Sequence, residues 1–287
     1  MNWAPRPTEA SVHWIVGKWL VLAGFFVLTA GLVARPDLTN PIFWYALVPL
    51  LPAAFLVNVE LWRNLCPLAT LNTLAESRSK ALPLGRDAVR LATAIGITGL
   101  LLAIPARRLL LNGDGIATAA VLGAFGTMAF LSGLRYERKA GFCNSVCPVL
   151  PVERLYGQRP LVPIENARCT PCRACTRGGC IDLGPERSYL PALGPGLDGD
   201  GWTRSPFGVF GLAFPGIVLA YSLTPDVGLP GAGPVVAAIA IGGLASWALA
   251  MVLVRTLRIG ASEALVSSAG AAAAIYYWFA SAAAGDA

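Results

Sequence analysis

Seven long apolar runs, at 14–34, 41–59, 90–106, 115–134, 207–225, 227–254 and 264–284, restrict what this chain can fold into more than any other feature. A helix needs about 20 consecutive, mostly apolar residues to cross the hydrocarbon core of a bilayer. Within lipid, only helices and closed barrels satisfy their own backbone. The composition agrees with spanning helices. The 287 residues are 55% hydrophobic and only 13% charged, with a mean hydropathy of +0.61, whereas a soluble domain carries about 25% charged residues. Pro49, Pro52 and Pro215 interrupt two of the runs, which membrane helices tolerate because neighbouring groups re-satisfy the freed carbonyls. The expected fold is an all-α polytopic membrane protein with about seven transmembrane helices and a small loop region between helices 4 and 5. The run at 14–34 follows a polar start and is long enough to remain as a span, so no cleaved signal peptide is expected.

The net charge of +6 does not indicate nucleic-acid binding, because the cations gather in loops beside apolar spans. Arg63, Arg78, Lys80 and Arg86 fall in the second loop, and Arg135, Arg138, Lys139, Arg154, Arg159, Arg168, Arg173, Arg177 and Arg187 in the long one. Arg255 and Arg258 follow the sixth span. With alternating spans these loops share one face, which the positive-inside rule makes cytoplasmic, together with the N-terminus. Arg107 and Arg108 fall on the opposite face, and a short re-entrant third segment would account for them. The chain divides into a first hairpin (1–58), a loop with a Cys-Pro step (59–87), a second hairpin (88–134), a cytoplasmic region (135–206) and three C-terminal helices (207–287).

The long loop holds CTPCRACTRGGC, in which Cys169, Cys172, Cys175 and Cys180 are spaced by two, two and four residues. Thiols this close let one loop wrap a cubane iron–sulfur cluster, as in the bacterial C-x2-C-x2-C-x3-C-P run. The run here is one residue longer before its last Cys and has no proline after it. Zinc sites usually place their two thiol pairs a dozen or more residues apart, so the crowding favours a [4Fe–4S] cluster over zinc. Arg168, Arg173 and Arg177 flank the thiols and would offset their charge. All seven cysteines fall on the face expected to be cytoplasmic, where clustered thiols point to metal binding more than to disulfides.

The other three thiols belong to a repeat. LWRNLCPLATL follows the second span and FCNSVCPVLPV follows the fourth. Aligned on Cys-Pro, Cys66 matches Cys147, and Trp62 stands where the second copy has Cys143. Two ligand assignments fit. Cys169, Cys172, Cys175 and Cys180 hold one cluster by themselves, with Cys66, Cys143 and Cys147 structural or holding a second cluster with a non-cysteine ligand. Alternatively, Cys147 completes the site of Cys169, Cys172 and Cys175, leaving Cys180 with Cys66 and Cys143 at a second site. One cluster is expected, with room for another.

The hairpins, their Cys-Pro segments and the thiol run resemble the membrane-bound ferredoxin-type electron-transfer proteins of the NapH, NosR and CcoG family, over residues 10–185. Trp62 and the presence of a single ferredoxin-like run depart from that pattern. The resemblance implies cytoplasmic-side [4Fe–4S] clusters in a bacterial inner membrane and a partner redox protein or complex.

His13 is the only histidine, so a bis-histidine haem within this chain is excluded and no haem is expected. His13, beside Trp14 at the membrane boundary, and Glu60, near the end of the second span, are the candidates for quinone or proton handling. Small residues crowd the last two spans, which are expected to pack together or against a partner. No nucleotide-binding or hydrolase motif is present. The expected function is single-electron relay between the quinone pool or a soluble reductant and a partner redox protein, with no stand-alone substrate chemistry. The alternatives are an assembly or sensing factor for metallation of a membrane oxidase or reductase, and a zinc-stabilised scaffold.

Overall fold

A computed structural model of the chain describes residues 12–75, 86–136, 141–164, 184–193 and 200–285. Every regular element among them is helical. The long ones are α1 (Val12–Ala34), α3 (Val48–Leu65), α5 (Arg86–Ala106), α6 (Gly115–Arg135), α9 (Pro206–Leu223), α10 (Ala232–Leu257) and α11 (Ala261–Gly285). Short helices α2 (Pro36–Pro41), α4 (Pro67–Leu74), α7 (Leu150–Tyr156) and α8 (Leu190–Leu193) lie between them. Among the described residues, six helices are long and apolar enough to cross a membrane. The seventh expected span falls in α11, a continuous helix of 25 residues that is not one of those six.

Two helices widen into π turns on the same face of the bundle, at Ile42–Leu47 after Pro41 and at Arg107–Leu111 after Pro105. Proline removes a backbone donor and displaces the preceding turn. The two widened turns are tied to each other. Trp44 Nε1 donates to Leu111 O at 3.0 Å, Asn40 Nδ2 to Leu111 O at 3.0 Å and Asn112 O at 2.8 Å, and Arg107 Nη2 to Trp44 O at 3.0 Å. Arg107 also stacks on Trp44 at 4.8 Å and Tyr221 at 5.6 Å, while Arg108 covers Tyr221 and pairs with Asp226 at 3.1 Å. The third segment therefore does not turn back. It runs through Leu111 as a candidate span, Leu91–Leu111, and the two arginines at its end are held by rings, carbonyls and a carboxylate.

Spans six and seven both pack on α9 instead of chiefly on each other. The reason is a small-residue stripe on α9. A Cβ on Gly216 would lie 2.0 Å from Gly242 O, and one on Gly242 would lie 2.7 Å from Gly216 O, so α9 and α10 cross with backbones touching. Ser246 Oγ donates to Leu212 O at 2.8 Å on that seam, and Ser268 Oγ of α11 donates to Gly211 O on the adjoining one. On the other side, α1, α4 and α6 pack together. The main core, with Phe55, Phe142, Leu150, Leu155, Phe207 and Leu265 at its centre, joins the two halves.

Candidate functional site

The thiol run at 169–180, with Arg168, Arg173 and Arg177, lies outside the described residues. Its attachment points are described. Upstream, the chain leaving α7 is fastened to a break in α3. Asn58 is extended there (φ −172°, ψ 128°) and its Oδ1 accepts from the Glu60 N–H at 2.8 Å, capping the continuation of the helix. The carbonyl of Val57, freed by the break, accepts from the N–H groups of Leu161 at 2.9 Å and Val162 at 3.2 Å, and Asn58 Nδ2 donates to Val162 O at 2.8 Å. Downstream, Tyr189, Ala192 and Leu193 are buried, and α8 packs on α5 and α9.

Cys66, Cys143 and Cys147 are all buried in the main core. Cys66 ends α3 with a non-helical backbone, and Pro67 starts α4, where a missing N–H costs nothing. Cys143 and Cys147 are brought together by a tight turn in which Cys147 N–H donates to Phe142 O at 3.1 Å. This turn is recessed into the bundle. A Cβ on Gly96 would lie 3.0 Å from Cys147 O, and Gly96 sits inside the Leu91–Leu111 span, roughly 16 Å along the helix from Arg107. Burial, followed by the Glu153 carboxylate and the neighbouring Cys143 and Cys66, pushes the Cys147 thiol well above its ordinary value. A thiolate is therefore disfavoured at Cys147 unless something positive compensates it.

Charged side chains that read as loop cations in the sequence are buried beside these thiols. Arg63 Nη1 and Glu153 Oε2 pair at 2.5 Å with both side chains 4% exposed, and Arg63 Nη2 donates to Asn144 Oδ1 at 2.5 Å. Arg154 is fully buried and donates to Thr93 Oγ1 at 3.1 Å. Glu60 is buried next to the α3 break, whereas His13 is exposed on the first turn of α1. The sequence reading missed Arg63, Asn144, Glu153 and Arg154 as site residues. Their signal was a pair of charged steps, LWRNLC and PVERLY, inside otherwise apolar segments.

Among the described residues, no group of three or more His, Cys, Asp or Glu side chains converges closely enough to hold a metal ion. Comparison with known protein families, with curated proteins and with solved structures finds no match to this chain.

Proposed function

We propose that this chain is a membrane-anchored electron-transfer protein in which Cys169, Cys172, Cys175 and Cys180 hold one [4Fe–4S] cluster on the cytoplasmic side. The observation that carries the reading is the spacing of those four thiols in the loop joining two groups of apolar helices. We read α11 as the seventh span; the four spans before the thiol run leave it on the face of the N-terminus, with the Arg107–Asp226 cluster on the other.

When bound, the cluster supplies a one-electron carrier whose potential responds to nearby charge and hydrogen bonding. The described residues provide the frame. The Asn58–Val162 and Val57–Leu161 hydrogen bonds tether the loop where it leaves α7, and buried Tyr189 and Leu193 anchor it where it returns. Leu161 is 75% exposed beside the α3 break, an apolar side chain suited to the edge of the bilayer. Such a frame keeps a surface electron carrier close to the membrane, where a quinol or a membrane-bound partner reaches it. The buried Glu60 carboxylate beside the same break is the side chain placed to exchange a proton there. Electron transfer to a partner redox protein then needs only docking at this face.

The test is anaerobic purification of the full chain, with iron and sulfide counting and EPR of the dithionite-reduced protein. About four irons per chain and a reduced cubane signal are expected, both lost in Cys172→Ser. A colourless protein without iron would overturn the reading. Retention of full iron by a strain-matched partner enzyme after deletion of this chain would argue against the assembly-factor alternative.

A further inference from the structure

The last turn of α10 gathers more positive charge than the fold uses. Arg255 Nε pairs with Asp200 Oδ2 at 2.5 Å, and Trp247 Nε1 donates to Thr203 O at 3.0 Å. The Gly201–Arg204 turn is therefore held against α10. That turn brings a second guanidinium, Arg204, near enough for its charge to act on the same Asp200 carboxylate. A third, Arg258, caps α10 in the left-handed region (φ 52°, ψ 42°), the one non-glycine residue with positive φ among those described. Glycine takes such a cap without a Cβ clash, yet the position holds an arginine. Arg204 and Arg258 are exposed. Among the described residues no carboxylate, Glu263 in the first turn of α11 included, pairs with either. Three guanidinium groups share one carboxylate.

An apolar track leads along α10 to this corner. Leu244, Ala248, Val252 and Arg255 are spaced by four, four and three residues, which puts them on one stripe of the helix. Leu244 is 60% and Val252 55% exposed, with Ala248 exposed between them. From Leu244 to Arg255 the stripe rises about 16 Å, the depth of one leaflet in a hydrocarbon core about 30 Å thick. The candidate span containing Arg255, Leu229–Leu257, has 29 residues. At about 43 Å it is long enough to carry its last turn into the headgroup layer. The cations thus stand at the level of lipid phosphates, with an apolar track of acyl-chain length beside them. A soluble anion, or a protein docking from water, meets the cations without the track. A phospholipid uses both.

We infer that Arg204, Arg255 and Arg258, with the Leu244–Val252 stripe, form a binding site for an anionic glycerophospholipid. Its phosphodiester sits among the guanidinium groups, which suit phosphate by charge and by their fork of N–H donors, and an acyl chain lies along α10. Anionic headgroups are the lipid chemistry that cations at a span end recognise. The site uses neither the thiol run nor a cluster, so it stands or falls apart from the function proposed above.

The experiment counts lipid on the full chain, purified in detergent, by native mass spectrometry during titration with dioleoyl phosphatidylglycerol or dioleoyl phosphatidylcholine. The unsubstituted chain is expected to bind one phosphatidylglycerol in clear preference to phosphatidylcholine. An arginine at the membrane surface strengthens binding of an anionic lipid about fivefold. Arg204→Gln and Arg258→Gly are therefore each expected to weaken phosphatidylglycerol about fivefold, and together about 25-fold, with phosphatidylcholine unchanged. Arg258→Gly also relieves the left-handed cap, so its thermal stability should hold or rise; lipid lost from a variant no less stable cannot be put down to unfolding. Arg35→Gln, which removes an exposed cation at the end of α1, is expected to leave binding unchanged. Equal affinity for the two lipids, full selectivity in the Arg204→Gln, Arg258→Gly variant, or an equal loss in Arg35→Gln would overturn the site. Displacement of the lipid by inorganic phosphate at the same concentration would make the cations a free-anion site and overturn the lipid assignment.

Discussion

Arg63 and Glu153 carry opposite charges into a core built of Phe55, Leu150 and Leu155. Moving either ion out of water costs several kcal/mol, offset by their contact and by the second bond from Arg63 to Asn144. Removing one partner strands the other. Arg63→Leu is therefore expected to lower stability by roughly 3–5 kcal/mol, read by thermal or SDS unfolding in detergent. The double change Arg63→Leu with Glu153→Leu should regain most of that loss, and equal damage from single and double variants would show that the pair does not act as a unit. The same residues show how far the sequence could be read at this scale. Arg63 and Arg154 looked like cations of solvated loops, because the tally of basic residues that sets topology cannot distinguish a loop from a short helix folded back into the bundle. The Cys66, Cys143 and Cys147 thiols were recognised as a set from Cys-Pro alone. Their burial was not, since it depends on the contact of their turn with Gly96.

Helices α1, α5, α6, α9 and α10 were evident from hydropathy, because lipid makes length and apolarity nearly sufficient to define a span. What could not be read was where a helix departs from regularity. The break in α3 falls at Asn58, whose side chain can replace the backbone as a cap, yet an Asn in an apolar run has several other uses. The π turns after Pro41 and Pro105 are likewise defined by what fills them: Trp44, Asn40 and Arg107 from two separate segments. Close approach between elements produces the sharpest expectation at this scale. Val at position 96 would drive its branches into the Ser145–Cys147 carbonyls, and that backbone has no room to yield without lifting the turn. Gly96→Val is expected to convert Cys147 from protected to reactive toward a membrane-permeant maleimide, with a stability loss of about 1–3 kcal/mol. Unchanged alkylation in a folded variant would place the Cys147 turn elsewhere.

At the scale of the whole molecule, the first four long helices pack with the short helices α4 and α7, and the last three form a bundle gathered on α9. Arg108 links the two groups by reaching Asp226 and Tyr221, while Trp247 Nε1 donates to Thr203 O at 3.0 Å and Arg255 pairs with Asp200 at 2.5 Å on the segment that enters α9. The Arg255–Asp200 pair is about half exposed, so salt screens it and it adds little stability. Arg255 nevertheless holds the Asp200 carboxyl below its ordinary value. The associated stability is present above the unfolded carboxylate range and fades as pH falls through the lowered value. Leu229 and Arg258 are exposed near opposite ends of α10, so sidedness is open to labelling there. On the function proposed above, α10 crosses the membrane with Arg258 on the same face as the thiol run. Single cysteines introduced as Leu229→Cys and Arg258→Cys, with the native thiols otherwise retained and reported by unsubstituted controls, place that helix. An impermeant maleimide should label Leu229→Cys from the outer face of intact cells and Arg258→Cys only in inverted vesicles. Labelling of both from one face would mean that α10 does not span, and the thiol run would then lose its assignment to the cytoplasmic surface.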